Sequence, residues 1–144
     1  METYKVDKHG DIRWYDGDGK RHRLCGPAVE ATDGTKFWYQ NDKLHRLDGP
    51  AIEYGYGHKA WYQNGKRHRL DGPAIEDADG EKFWYQNGKL HRLDGPATKY
   101  ADGRKSWYIE GVEYTEAEFN AKINPTCEGK TVEIDGIKYK LVKE

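Results

Sequence analysis

The chain is short of the materials from which most small domains build an interior. Its 144 residues include one Met, three Phe and two Cys, and only 35% are hydrophobic against 34% charged. That supply is thin for a packed sandwich or bundle, since a chain of this length buries its surface around one small core. Cys25 and Cys127 offer no disulfide framework, which makes a reducing, cytoplasmic setting the expectation. No apolar run is long enough to cross a bilayer, and the opening METYKVDKHG lacks the apolar core of a signal peptide. The formal net charge is -1, so neither general nucleic-acid binding nor attraction to an acidic membrane is expected.

What the chain does have is aromatic residues in a strict rhythm. Five Trp stand at 14, 38, 61, 84 and 107, so the steps are 24, 23, 23 and 23 residues. Trp84 opens WYQNGKLHRLDGPA, Trp61 opens WYQNGKRHRLDGPA, Trp38 opens WYQNDKLHRLDGPA, and Trp14 opens the looser WYDGDGKRHRLCGPA. Trp107 begins the same way and then leaves the pattern. A fixed period of this length marks an architecture built from one repeated supersecondary unit.

Two turn signals alternate within each unit. Asn87-Gly88, Asn64-Gly65 and Asn41-Asp42 form one set, and Asp33-Gly34, Tyr56-Gly57, Asp79-Gly80 and Asp102-Gly103 the other. Asn-Gly and Asp-Gly favour two-residue hairpin loops because their central residues need positive φ. The segments between them are aromatic-rich and read as strands. The expectation is a mainly β chain: an elongated, single-layer antiparallel meander or solenoid of stacked hairpins. A half-repeat occupies 4–13, repeats start at 14, 38, 61 and 84, and a partial repeat starts at 107. Four of the five prolines (Pro27, Pro50, Pro73, Pro96) share one site in the repeat. A proline cannot donate to a ladder, so the sheet should bend there and curl into a trough.

With two-residue loops, Trp84 should face His91 on one side and Ile75 on the other. Each Trp from Trp38 onward then sits against Val29, Ile52, Ile75 or Thr98. The Tyr row falls on the opposite face beside Leu90, Arg92 and Phe83. Beyond residue 111 the rule changes, so the repeat region is 1–111 and a cap occupies 112–144. Thr115 and Glu118 have capping-box spacing for a short helix, which Asn124-Pro125 ends. Residues 131–142 read as a hairpin around Asp135-Gly136, and the pair would close the open end of the solenoid.

The 23-residue step, the Trp-x-x-Asn-Gly-Lys-x-His core and the closing Asp-Gly turn resemble MORN repeats over roughly 4–108. The chain departs from that pattern in having Lys82 where a Gly precedes Trp by two, and Asp-Gly-Pro where the family has Gly-x-Gly. The resemblance implies a rod of antiparallel hairpins whose groove makes protein contacts. The longer Trp-Tyr-x-Asn-Gly-Lys-x-His-Arg-x-Asp-Gly-Pro-Ala form is also similar to repeats in proteins of large bacteriophages and giant viruses. That likeness implies a phage-encoded protein in the host cytoplasm that docks on a host protein, with a counter-defence or immune-evasion role.

Catalysis finds little support. His-Arg-x-Asp (His45, Arg46, Asp48 and its repeats) resembles a kinase catalytic loop, but no Gly-rich loop or Asp-Phe-Gly accompanies it. No enzyme, no cofactor and no metal centre are expected. Equivalent histidines (His22, His45, His68, His91) lie two strands apart, roughly 10 Å, too far for neighbours to share one zinc ion. The arginines Arg23, Arg46, Arg69 and Arg92 invite two readings. In the favoured one each pairs with a nearby Asp (Asp48, Asp71, Asp94) or with Glu30, Glu53 or Glu76 and stacks on Phe37 or Phe83, leaving Arg23 the freest. In the other, Arg forks and aromatic faces grip a nucleotide-derived signal or an acidic peptide. The candidate binding residues are therefore these four Arg, these four His, and Trp38, Trp61 and Trp84. Docking on a host protein is the preferred function; a nucleotide sponge and a self-assembling rod are the alternatives, and a homodimer fits either aromatic row.

Overall fold

The structure is a computed structural model that describes residues 1–125, 131–134 and 137–140. One long antiparallel sheet of eleven strands runs through the repeats in hairpin order, with no closed barrel among the described residues. It starts with Thr3–Val6 and Ile12–Tyr15 and ends with Lys105–Ile109 and Val112–Tyr114. In between, each repeat contributes two very short strands, as in Ile75–Glu76 and Lys82–Phe83. Three small hairpins branch from this sheet: Tyr39–Gln40 with Lys43–Leu44, Tyr62–Gln63 with Lys66–Arg67, and Tyr85–Gln86 with Lys89–Leu90.

The Asn-Gly turn behaves as its sequence dictates. Asn87 (φ 51°) and Gly88 (φ 84°) sit between the paired Gln86 and Lys89, the two-residue geometry with both φ positive. Tyr85 then faces Leu90, and His91 N–H donates to Trp84 O at 3.0 Å, as expected.

The Asp-Gly turn is one residue longer than expected. Asp77 N–H donates to Glu81 O at 3.0 Å, leaving Ala78, Asp79 and Gly80 as a three-residue loop whose Gly80 takes φ 92°. Ile75 consequently pairs with Phe83, not with Trp84. In a period-two strand a slip of one exchanges the faces, so the expected Trp–Ile contacts are replaced by a row of Phe37, Ile52, Ala60, Ile75, Phe83 and Thr98 across neighbouring strands. The same loop type explains the first step of 24. Asp16 N–H donates to Lys20 O at 2.9 Å around Gly17, Asp18 and Gly19, a three-residue turn where later repeats use two.

In the three middle repeats, though not at Trp14 or Trp107, which stay paired within strands, Trp is thereby released from the ladder. Its N–H belongs to the long sheet, as in Trp84 N to Ala97 O at 2.8 Å, while its carbonyl accepts His91 N of the side hairpin. Trp is the junction at which the chain leaves one sheet for the other. After the side hairpin, the loop HRLDGPA carries the chain back, and Ala re-enters the sheet through Ala74 N to Phe83 O at 2.8 Å and its equivalents.

The interior is built from small and β-branched residues. Ala28, Ala51, Ala74 and Ala97 are completely buried, with Val29, Ile52, Ile75 and Thr98 beside them. Leu44, Tyr62 and Tyr85 of the side hairpins pack onto the cluster of Ile52, Ala60 and Ile75. The side hairpins thus thicken a sheet that could not otherwise hide its apolar row.

Thr115 caps the short helix Glu116–Ile123 as expected, with Glu118 completing the capping box, and Phe119 is the helix residue that is buried. Strands Thr131–Ile134 and Ile137–Lys140 pair in the expected register; the turn residues Asp135 and Gly136 lie outside the described residues.

The fully buried Ala row leaves no room for a larger side chain. Ala74→Leu should therefore lower stability by roughly 1–3 kcal/mol through overpacking, read from denaturant unfolding, whereas the same change at exposed Ala78 should be close to neutral.

Candidate functional site

The His-Arg pair of each HRLDGPA loop is where sequence reasoning places a partner, and its geometry is nearly the same in all four copies. Arg69 lays its guanidinium over the Trp61 ring, with Cζ 4.0 Å from the centroid. Its Nη1 donates to Pro73 O at 3.1 Å and to Glu76 Oε1 at 2.9 Å, and its Nε donates to Asp71 Oδ1 at 3.0 Å. Arg46 repeats the set with Trp38, Pro50, Glu53 and Asp48. The planar fork closes the loop on itself, and the ring face supplies a cation–π contact.

The outer copies lose one partner each. Cys25 stands where the Asp belongs, and Arg23 keeps Trp14, Pro27 O and Glu30. Lys99 stands where the Glu belongs, and Arg92 holds Asp94 through both Nε and Nη2 while stacking on Trp84. The expectation that these arginines pair with Asp and Glu is met, but they stack on Trp and not on Phe37 or Phe83. The longer Asp-Gly loop is the reason, because it turns Phe into the sheet's apolar row.

Charge follows from this pairing. The hydrogen bonds and positive charge of Arg46 and Arg69 hold Asp48 and Asp71 below the ordinary aspartate value, and Arg92 does the same to Asp94. These three carboxylates are nevertheless 84, 84 and 80% exposed at the side chain. Each of Arg46 and Arg69 is already matched by Glu53 or Glu76. Asp48 and Asp71 thus share their guanidiniums with Glu53 and Glu76.

The histidines also serve the next repeat. Asn64 N–H donates to His45 Nδ1 at 3.2 Å, Asn87 N–H to His68 Nδ1 at 3.2 Å, and Glu110 N–H to His91 Nδ1 at 3.1 Å. His22 accepts in the same way from Asn41 at 3.3 Å. Each His ring thus braces the positive-φ turn of the following repeat, and its Nδ1 also meets the turn residue's side-chain oxygen, Asn Oδ1 in three copies and Glu110 Oε1 in the fourth. Among the described residues one group of three side chains lies close enough to share a metal ion, namely Asp77, Asp79 and Glu81. None of the four histidines belongs to it, and Asp77 is already bonded to His58.

The feature that sequence reasoning passed over is the leucine between Arg and Asp-Gly-Pro. Leu24, Leu47, Leu70 and Leu93 are 69, 75, 75 and 53% exposed. They crown successive loops, and between the loops lie three grooves over Trp38, Trp61 and Trp84. The middle groove is walled by Leu47 and Leu70, with Trp61 and Gln63 also lining it. The available signal was an apolar residue recurring at every 23rd position in a segment that fits neither hairpin register. The structure therefore brings the predicted Arg, His and Trp residues together, but around grooves whose crests are Leu.

Comparison with models of known protein families and with curated protein sequences gives no match.

The staple also constrains Gly72. A Cβ placed there would lie 2.9 Å from Arg69 Cζ. Gly72→Ala should push the guanidinium off Trp61 and destabilise the chain by roughly 1 kcal/mol, while Gly80→Ala, which meets no atom but sits at φ 92°, should act through backbone strain alone. Indole fluorescence during unfolding separates the two, since only the first changes the folded-state Trp signal.

Proposed function

We propose that the chain is a non-enzymatic binding protein that docks a protein partner on its row of HRLDGPA loops. The observation that carries this reading is the line of exposed Leu24, Leu47, Leu70 and Leu93. Each is a large apolar side chain held outward by a loop that an arginine staple fixes, and the fold makes no use of it. Burying one such side chain contributes roughly 1.5–3 kcal/mol to a complex. Four in register on a pre-formed scaffold can anchor a partner with little ordering cost.

The resemblance to phage and giant-virus repeat proteins supports a host-cell protein as that partner. The nucleotide-sponge reading is less favoured, because it needs guanidiniums free to grip phosphate. Arg46 and Arg69 each hold two carboxylates and a backbone carbonyl already. No helix among the described residues is long and apolar enough to cross a membrane.

A pull-down from host lysate with the whole chain as bait tests the proposal. Leu47→Glu/Leu70→Glu should keep the unfolding midpoint of the parent, because both positions are exposed, yet lose the retained protein by at least tenfold, roughly the loss of one anchor's burial. A parent chain that retains nothing, or a retained protein indifferent to the two substitutions, counts against docking on this row.

A further inference from the structure

If the loops are the docking face, their spacing states what kind of chain fits them. Successive loops are two strands apart, so the crests and the grooves between them repeat at roughly 9.6 Å. A ligand lying along the row must present one side chain to each groove at that interval. The left-handed polyproline II helix has three residues per turn at about 3.1 Å each, a repeat of about 9.3 Å. Across three grooves the accumulated mismatch is roughly 0.6 Å, within the give of a side chain.

The other regular conformations fit less well. A β-strand presents same-face side chains at roughly 6.7 and 13.4 Å, neither of which matches. An α-helix returns to the same face after seven residues, roughly 10.5 Å, but its intervening residues at i+3 and i+4 would strike the leucine crests.

The groove chemistry points the same way. Leu47, Leu70, Pro50 and the edge of the Arg69-stacked Trp61 ring supply the apolar part of the middle groove's lining, beside Arg46, His68 and Arg69, and a proline or aliphatic side chain packs against such a part. Gln63 lies in the same groove, and Gln40 and Gln86 occupy the equivalent places. A polyproline II backbone makes no hydrogen bonds of its own, so its carbonyls are available to side-chain amides such as these. Asp48 and Asp71 stand on either side of the middle groove as exposed carboxylates, each sharing its arginine with a glutamate.

We propose that the row of grooves over Trp38, Trp61 and Trp84 binds an extended polyproline II segment. That segment carries an apolar residue or proline at every third position, with Lys or Arg beside the positions that meet Asp48 and Asp71. The proposal rests on the docking function above and names the form of the partner.

The test is titration of the whole chain with synthetic peptides, followed by calorimetry and by the fluorescence of the groove tryptophans. The first peptide is proline-rich and about nine residues long, with Leu at every third position and Lys in the intervals, three residues for each of the three grooves. A second has the same composition with Leu at every second position, and a third replaces Lys by Glu. The first should bind roughly tenfold or more tighter than either other peptide. Leu47→Glu/Leu70→Glu should abolish the binding, and Asp71→Lys should weaken it roughly tenfold.

Equal binding of the two-residue spacing overturns the proposal, as does no binding of the first peptide. Concentration-dependent self-association that Leu47→Glu/Leu70→Glu abolishes would also overturn it, since a second copy would then own the face. If the peptides fail while a lysate protein is still retained through Leu47 and Leu70, docking stands and the polyproline II form falls. If both fail, both readings fall together.

Discussion

The contact on which the repeats depend is the arginine guanidinium laid over the tryptophan ring at 4.0 Å in three copies and 4.2 Å in the fourth. Between its terminal hairpins the long sheet is made of two-residue strands, and every repeat interrupts it with an excursion of about fourteen residues from Trp to Ala. Such an excursion is an entropic burden unless something closes it. The fork closes it from three sides, through the ring, the proline carbonyl and the carboxylates. It sits where the chain changes sheets, so one residue holds the junction, the returning loop and the next strand's entry. The histidine beside it passes the constraint on, by accepting the first turn N–H of the following repeat.

A residue so engaged has little left to offer a ligand. Repetition of His-Arg four times is therefore explained by the fold having four junctions to hold. What repetition also produces is a ruler. Near-identical loops place Leu24, Leu47, Leu70 and Leu93 at one interval along one face, and nothing in the folding of the chain uses them. The division of labour within the loop is thus sharp: His, Arg, Gly and Pro build it, Asp joins the arginine in three of the four copies, and Leu crowns it.

Much of this is legible in the residues alone. The period of the tryptophans, the Asn-Gly turns and the Thr115–Glu118 capping box each have a local physical cause, and each fell where the residues put it. The helix and the long meander followed. The Asp-Gly turn did not, because Asp-Gly serves both a two-residue loop and the end of a three-residue loop, and only long-range pairing decides between them. That single residue moved Phe83 into the place given to Trp84, and with it moved the stacking partner of Arg92. The Arg–Asp and Arg–Glu pairings survived because they are short-range along the chain. The leucine crests were missed because an apolar residue between Arg and Asp-Gly-Pro looks like core until the loop's direction is known.

Arg69 is held by Trp61 and its own loop, not waiting for a partner. A double-mutant cycle of Trp61→Leu and Arg69→Met, read as unfolding free energy, measures that directly. Coupling of roughly 0.5–2 kcal/mol is the predicted result for a partly desolvated cation–π pair. A coupling indistinguishable from zero would contradict it, and would return the arginines to the surface as ligands in search of an anion.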